Sequence, residues 1–241
     1  MMNFARIEWR ENNGSKQPYS LDFNDIYYST DDGQLESEFV FVAQNQLPQR
    51  FAKTVGTFVV IETGFGTGLN FLMVADCWQR VAPSDAKLRY IALENTPISQ
   101  NDMQTACDCW RALKPISDDF LAAYKTLISQ DLTVFRCQKP IMLANHITLE
   151  LVFNEASDGL AQMHTPADAW LLDGYAPAKN PAMWNETVFK QMARLSKTNT
   201  TFATFTSAGA VRRGLEAVGF TVSKQKGFGK KREMLSGVFT K

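Results

Sequence analysis

Phe58-Val-Val-Ile-Glu62-Thr-Gly64-Phe-Gly66-Thr-Gly68-Leu-Asn70 is the stretch whose reading decides the fold. It opens with an apolar wall of β-branched and aromatic residues that does not alternate, as a parallel strand covered on both faces requires. An acid follows, then glycine at every second position, then a helix. The glycines let the backbone turn sharply and approach a ligand with no Cβ in the way. A helix starting after Gly68 aims its free N–H groups into that turn, which suits polar or anionic groups. The stretch therefore predicts a strand–turn–helix corner that receives a flat, polar, nucleotide-like ligand.

The glycine spacing narrows the ligand. A pyrophosphate-binding corner reads G-x-G-x-x-G, whereas this chain has G-x-G-x-G with Glu62 two residues before it. A carboxylate there repels a pyrophosphate and can pair with the cationic amino group of a methionine-type ligand. This favours S-adenosylmethionine over NAD or FAD and makes Glu62, Gly64, Phe65, Gly66, Gly68 and Asn70 the candidate cofactor residues. No G-x-x-x-x-G-K-[ST] sequence is present here, which excludes a P-loop at this site. Downstream, Leu88-Arg-Tyr-Ile-Ala-Leu-Glu94 reads as the next strand, and the acid at its end can accept both ribose hydroxyls. The plain alternative for Glu94 is a solvated strand-end residue.

The 241 residues suffice for one large α/β domain. We expect a single unit over 1–241, with an N-terminal β extension over 1–56 and a Rossmann-like core over 57–241. A hydrophobic fraction of 45% with 21% charged residues is ordinary for a soluble protein. No apolar run approaches the ~20 residues that span a bilayer, and the N-terminus lacks a signal-peptide core. The expectation is a cytoplasmic protein without membrane contact, its cysteines Cys77, Cys107, Cys109 and Cys137 reduced. His146 and His164 stand apart from other metal ligands, so neither a metal site nor a catalytic triad is expected. The net charge of zero hides an asymmetry: residues 1–50 hold eight acids and four bases, residues 208–241 eight bases and two acids. A basic end can attract a polyanion locally, although a solvated charged face has the same composition.

Short strand-like pieces, Arg6–Trp9, Ile26–Tyr28 and Glu38–Val42, precede the core. From Thr57 onward strands alternate with helices, the pattern of a parallel sheet. Helices are predicted near 69–81, 97–112 (Pro97 in its first turn, Thr96 as cap), 117–129, 182–195 (capped by Asn180-Pro181) and 208–217 (capped by Ser207). Strands are predicted at Thr133–Gln138, Ile147–Phe153, Ala169–Asp173 and Thr200–Thr206. Phe220–Gln225 and Met234–Thr240 form a final antiparallel pair. A mostly parallel seven-stranded sheet ending in an antiparallel hairpin, with a small N-terminal β appendage, is the α/β architecture of class I (Rossmann-like) methyltransferases. Its carboxyl edge would bring Gly64–Gly68, Glu94 and Asp173 together.

Leu171-Leu-Asp173-Gly-Tyr175-Ala-Pro177-Ala-Lys179-Asn180-Pro181 is a stiff loop after the fourth core strand. Such a loop can hold a planar substrate beside a methyl donor. Asp173 can hydrogen-bond an acceptor amine and take its proton, with Tyr175 and Lys179 on the substrate side. The plain readings are a loop anchor for Asp173 and core packing for Tyr175 and Trp184. Arg212 and Arg213 sit early in a helix, where cations oppose the dipole and hint at an external anion. Lys226-Gly-Phe228-Gly-Lys230-Lys231-Arg232 interleaves bases with an aromatic, a pattern suited to RNA backbone contact and base stacking or simply to a charged hairpin turn.

Glu62–Phe71, Leu172–Trp184, Thr204–Gly209 with Arg212-Arg213, and Lys226–Met234 resemble the methyltransferase domain of the bifunctional tRNA 5-methylaminomethyl-2-thiouridine biosynthesis proteins. The likeness runs through most of the chain, including Asp25–Tyr28 and Asn45-Gln-Leu47. It implies methyl transfer from S-adenosylmethionine to the aminomethyl nitrogen on carbon 5 of the tRNA wobble uridine. It also implies Asp173 as the catalytic-loop acid and Glu155 on the adenine side, where the family often has Asp. FAD is implied only with an oxidoreductase domain outside this chain, as a covalent or separate partner. Two other readings stay open: a methyltransferase for a small amine, and a catalytically inactive nucleotide- or RNA-binding module.

Overall fold

In the computed structural model, residues 3–12, 14–29, 32–129 and 140–241 are described. The chain begins with β1 (Ile7–Asn12), β2 (Ser15–Ser20) and β3 (Asp25–Ile26), an antiparallel three-stranded sheet. Helix α1 (Gly33–Ser37) runs into a wider helical turn over Glu38–Ala43, and α2 (Leu47–Phe51) follows. The core then alternates: β4 (Thr57–Thr63), α3 (Leu69–Val81), β5 (Lys87–Glu94), α4 (Gln100–Asp108) and α5 (Lys114–Ile128). It continues with β6 (Ile141–Leu143), β7 (Ile147–Phe153), α6 (Ala156–Ala161), β8 (Ala167–Leu172) and α7 (Glu186–Arg194). The last elements are β9 (Ser196–Thr204), α8 (Gly209–Val218), β10 (Phe220–Lys226) and β11 (Glu233–Phe239).

These strands make a sheet of order β10-β11-β9-β8-β4-β5-β7-β6, parallel except for β11 and the edge strand β6. The absence of alternation in β4 has a direct cause. Phe58 and Val60 enter one core cluster, with Phe71, Leu72 and Trp78 of α3, while Val59 and Ile61 enter the other, with Trp170 and Phe189. Both faces are buried, so neither carries polar residues. Neighbours β5 and β8 flank β4 on opposite sides, each parallel to it. Chain crossovers therefore leave β4 in opposite directions and open a crevice at its carboxyl end. Two bonds hold that edge in place: Gly64 N–H donates to Leu93 C=O at 3.0 Å, and Asp173 N–H to Thr63 C=O at 3.1 Å.

Several sequence expectations shift. The helix over 69–81 and the strand over Ile147–Phe153 coincide with α3 and β7. Glu38–Val42, expected as a strand, is helical, and Val40, Phe41 and Val42 are buried in the α3-side cluster. A four-residue apolar run cannot distinguish the two periods. The segment Ser15–Ser20 supplies a strand that the reading did not assign. Helix α4 begins at Gln100 with Ser99, not Thr96, as its cap: Ser99 Oγ accepts from Asp102 N–H at 3.2 Å. Pro97 stays outside the helix, which starts after the extended cap Ser99, and its carbonyl accepts Ala5 N–H at 2.9 Å. Asn180-Pro181 opens a short tight turn, and α7 is capped by Asn185, whose Oδ1 accepts from Val188 N–H at 3.0 Å. No side chain caps α8, so Ser207 does not fill that role. The sheet has eight strands among the described residues rather than seven, because β6 pairs antiparallel with the outer edge of β7. The strand expected at Thr133–Gln138, with Cys137, lies outside the described residues.

Candidate active site

A cavity of about 300 Å³ opens at the carboxyl ends of β4, β5 and β8, near the lower end of the range for small-ligand sites. Its floor is the glycine turn. Gly64 has φ +84°, and a Cβ there would lie 3.0 Å from the Asp173 carbonyl oxygen. Gly66 has φ +52°, with its would-be Cβ 3.3 Å from the Tyr27 ring. Side chains at either position would strain the backbone and fill the floor. The turn's geometry thus fits a ligand lying against bare backbone.

Glu94 closes the β5 side. Its carboxylate accepts Gly66 N–H and Thr96 N–H, each at 2.9 Å. Burial raises its carboxyl above the ordinary range, and those backbone donors pull it back. Glu155 stands just beyond, exposed, accepting Asn95 Nδ2 at 3.0 Å beside a smaller cleft lined by Asn154, Asn180 and Met183.

On the β8 side, Asp173 Oδ1 accepts Gly174 N–H at 2.8 Å and Oδ2 accepts Asn70 Nδ2 at 2.7 Å. The same Asn70 nitrogen donates to Glu62 Oε1 at 2.8 Å, and Asn70 Oδ1 accepts Ser37 Oγ at 2.6 Å. Asn70 thus bridges two carboxyls from the first turn of α3. Burial, then the charge of Glu36, pushes the Asp173 carboxyl up to about 7, against Gly174 N–H, Asn70 and the Lys231 ammonium. A group poised near neutrality is suited to accepting and releasing protons.

Glu62 is where the structure departs from the sequence expectation. It is 0% exposed. Tyr90 Oη donates to its Oε2 at 2.8 Å, and Asn70 takes Oε1. Burial and the Asp173 charge drive its carboxyl well above the ordinary range. It lies beneath the cavity and reaches it only through Asn70, so a direct ion pair with a ligand ammonium finds no support in this geometry.

The opposite wall comes from the N-terminal residues, which local sequence reasoning missed. Phe23 stacks on Tyr175 (centroids 4.4 Å apart), and Tyr27 meets Tyr175 edge-on at 5.4 Å. Asp25 pairs with Lys179 at 3.1 Å and accepts Ala176 N–H at 3.4 Å. Glu36 accepts Lys231 Nζ at 2.8 Å and Ser29 N–H at 3.0 Å. Only the family likeness through Asp25–Tyr28 touched this wall; nothing in its local composition did.

Of the residues singled out from sequence, Gly64, Phe65, Gly66, Asn70, Glu94, Asp173, Tyr175 and Lys231 line the cavity. Gly68, at φ +75°, starts α3 just behind it. Lys179 lies outside the lining, held by Asp25 and by the Asn24 carbonyl. Arg212 pairs with Glu216 at 3.5 Å on α8, while Arg213, Lys230 and Arg232 are exposed. No described group of His, Cys, Asp or Glu is arranged to hold a metal ion. Among the described residues no helix is long and apolar enough to cross a membrane.

A family described as S-adenosyl-L-methionine-dependent methyltransferase matches residues 119–240. A protein of Methylobacillus flagellatus named "tRNA 5-methylaminomethyl-2-thiouridine biosynthesis bifunctional protein MnmC" is 42% identical over 237 residues, covering 98% of this chain and 35% of its own length. The same-named protein of Pseudomonas aeruginosa is 41% identical over 238 residues, with 98% and 35% covered. The chain therefore spans about a third of the length of these curated relatives. Among solved structures, MnmC2 of Aquifex aeolicus superposes with a TM-score of 0.68 at 18% identity, over 97% of this chain and 70% of that one. That likeness carries the fold.

Proposed function

The chain belongs to the S-adenosyl-L-methionine-dependent methyltransferase family, and from that premise we propose that it methylates the aminomethyl nitrogen of 5-aminomethyl-2-thiouridine at the wobble position of tRNA. The observation that carries the transfer chemistry is Asp173, a carboxyl on the cavity wall beside the glycine turn whose oxygens are aimed by Asn70 and Gly174 N–H. The names of relatives more than 40% identical across nearly the whole chain support it.

S-adenosyl-L-methionine supplies a methyl group on a sulfonium, so that an N–CH₃ bond forms as the S–CH₃ bond breaks and its electron pair goes to sulfur. The residues that would hold it are the Gly64–Gly66 backbone, Glu94 at the ribose, and the Asn95–Glu155 edge toward the adenine. Asn70 would meet its amino-acid end, with Glu62 fixing the orientation of that amide from below. The protein's largest contribution is alignment, worth up to ~7–11 kcal/mol when near-attack geometry is enforced. An amine acceptor is protonated in water and cannot attack until it loses a proton. Asp173 takes that proton, and the Asn70 and Gly174 hydrogen bonds aim its oxygens. Tyr175, backed by Phe23, presents an aromatic surface beside the acceptor base.

Exposed Lys230 and Arg232, with Arg212 and Arg213, supply positive charge for the tRNA backbone. The relatives are bifunctional, and an FAD-dependent oxidoreductase, covalent or separate, would prepare the amine. We read the whole of 1–241 as one methyltransferase unit acting in the cytoplasm.

The test is transfer of a radiolabelled methyl group to tRNA from cells lacking the modification, followed by nucleoside analysis. Label in 5-methylaminomethyl-2-thiouridine is expected. Label only in a small amine, or none with donor bound, would overturn the proposal.

A further inference from the structure

Lys231 is the one cation among the described residues lining the cavity, and it shares that lining with four carboxylates: Asp25, Glu36, Glu94 and Asp173. Three of these are held by partners other than Lys231. Asp25 has Lys179 at 3.1 Å, Glu94 has two backbone N–H groups, and Asp173 has Asn70 and Gly174 N–H. Glu36 is met by Lys231 across 195 residues of sequence.

The position of Lys231 is built. Its loop between β10 and β11 is closed by Gly227 N–H to the Arg232 carbonyl at 3.2 Å and Lys231 N–H to the Phe228 carbonyl at 3.0 Å. The Phe228 ring packs 5.9 Å from Phe39, anchoring the loop to the N-terminal wall. From there Lys231 Nζ lies 4.7 Å above the Phe205 ring and 2.8 Å from Glu36 Oε1. The Lys231 side chain is 48% exposed and its Glu36 partner 12%, so the ammonium sits at the cavity mouth with one face to solvent.

We propose that Lys231 is a positioning residue for methyl transfer, its ammonium held over the cavity by Glu36 and Phe205 so that Asp173 stays ionised and able to take the acceptor's proton. The inference rests on the amine-acceptor reading above. Around a carboxyl shielded from solvent, each added negative charge drives a proton onto Asp173, and a cation at the cavity mouth opposes that. The charged and titratable groups that share the cavity lining with Asp173 are Glu94 from β5, Asp25, Tyr27 and Tyr28 from the N-terminal wall, Tyr175 from its own loop, Glu36 from α1, and Lys231, with Glu62 of β4 and Tyr90 beneath. Burial acts on the Asp173 carboxyl most strongly; Glu36 pushes it further up and Lys231 down. Glu36 thus has two opposed effects, anchoring the cation while adding repulsion. A Lys231–Glu36 pair lets the cation enter without binding Asp173 directly, which would block it as a base.

The experiment titrates the Asp173 carboxyl by ¹³C NMR in the full chain, assigned with Asp173→Asn, in wild type, Lys231→Gln, Lys231→Arg and Glu36→Gln. Lys231→Gln is expected to raise Asp173's proton affinity on the order of threefold to tenfold, and Glu36→Gln to lower it. Lys231→Arg should titrate like wild type. The acid limb of the pH–rate profile for tRNA methylation should move with the titration, while the salt dependence of tRNA binding stays the same. An Asp173 midpoint unmoved in Lys231→Gln would overturn the proposal. So would shifts of the same sign in both Gln variants, which report a collapsed wall. A salt slope reduced by about one with no pH shift would mark Lys231 as a phosphate contact instead. Because the titration needs no acceptor, opposite shifts in a protein that leaves tRNA unmethylated would sink the tRNA reading and not this one.

Discussion

The two walls of the cavity are made in different ways. One is the carboxyl edge of β4, β5 and β8, where the glycine turn, Glu94 and Asp173 follow directly from strand ends. The other comes from N-terminal residues between Phe23 and Ser37, which reach the site because Asp25 and Glu36 grip residues 150 or more positions later and Tyr27 meets the Tyr175 ring edge-on. The first wall is local chemistry repeated at a sheet edge. The second is long-range packing. The difference suggests a division of labour: the sheet edge holds the donor, and the N-terminal wall orders the loops that present the acceptor and the base.

Asp173 gives the hardest test of that division, because it belongs to the sheet edge and yet serves the acceptor. Asp173→Asn should lower methyl transfer on the order of 10²–10⁴-fold, the range for a lost general base. Donor binding by calorimetry should change little. A parallel loss of donor affinity would assign Asp173 to the donor cradle and merge the two walls. The same variant has a stability signature. Folding raises the Asp173 carboxyl to about 7, above its unfolded value of about 4, so the folded state binds the proton more tightly. That relative stabilisation is present at low pH and is lost as pH rises through 7. Asp173→Asn should therefore melt higher than wild type at pH 8, by a margin that shrinks steadily as pH falls from 7 toward 4.

Glu94 isolates the sheet edge. Glu94→Ala should weaken donor binding on the order of tenfold to a hundredfold, as loss of charged hydrogen bonds worth ~1.5–3 kcal/mol would. Turnover at saturating donor should survive. Unchanged calorimetric affinity would remove the ribose assignment.

Asp25 isolates the other wall and should give the smallest effect. Its pair with Lys179 is partly exposed, at 22% and 39%, and such pairs contribute ~0.2–1 kcal/mol. Asp25→Ala should raise the acceptor KM about twofold to fivefold through a loosened 173–180 loop, leaving donor affinity alone. A change in donor affinity would erase the distinction between the walls.

How far the sequence could be read follows the same division. Helix α3 and strands β4, β5 and β7 were legible because 13 residues of helix and seven to eight residues of strand leading to acids or a glycine turn leave little room for another assignment. Phe39–Val42 was not, since an unbroken apolar run buried inside a helical turn has no polar face to mark the repeat. Strand β6, three residues on the sheet's edge, was too short to announce itself. Glu62 was correctly seen as an acid beside the turn, but its depth was invisible. The side chain that seals it, Tyr90, comes from the neighbouring strand.

The amino-acid order alone determined the parallel sheet, the glycine corner and the acids at strand ends, because backbone freedom and side-chain period act over a few residues. Tertiary structure decided which acids face the cavity, which is sealed beneath it, and where the basic loop points. Lys231, exposed like Lys230 and Arg232, reaches Glu36 at 2.8 Å from the cavity mouth. Those outcomes depend on burial and on charges brought close from distant parts of the chain, and electrostatic energies are set by spatial distance and local dielectric, neither of which sequence spacing encodes.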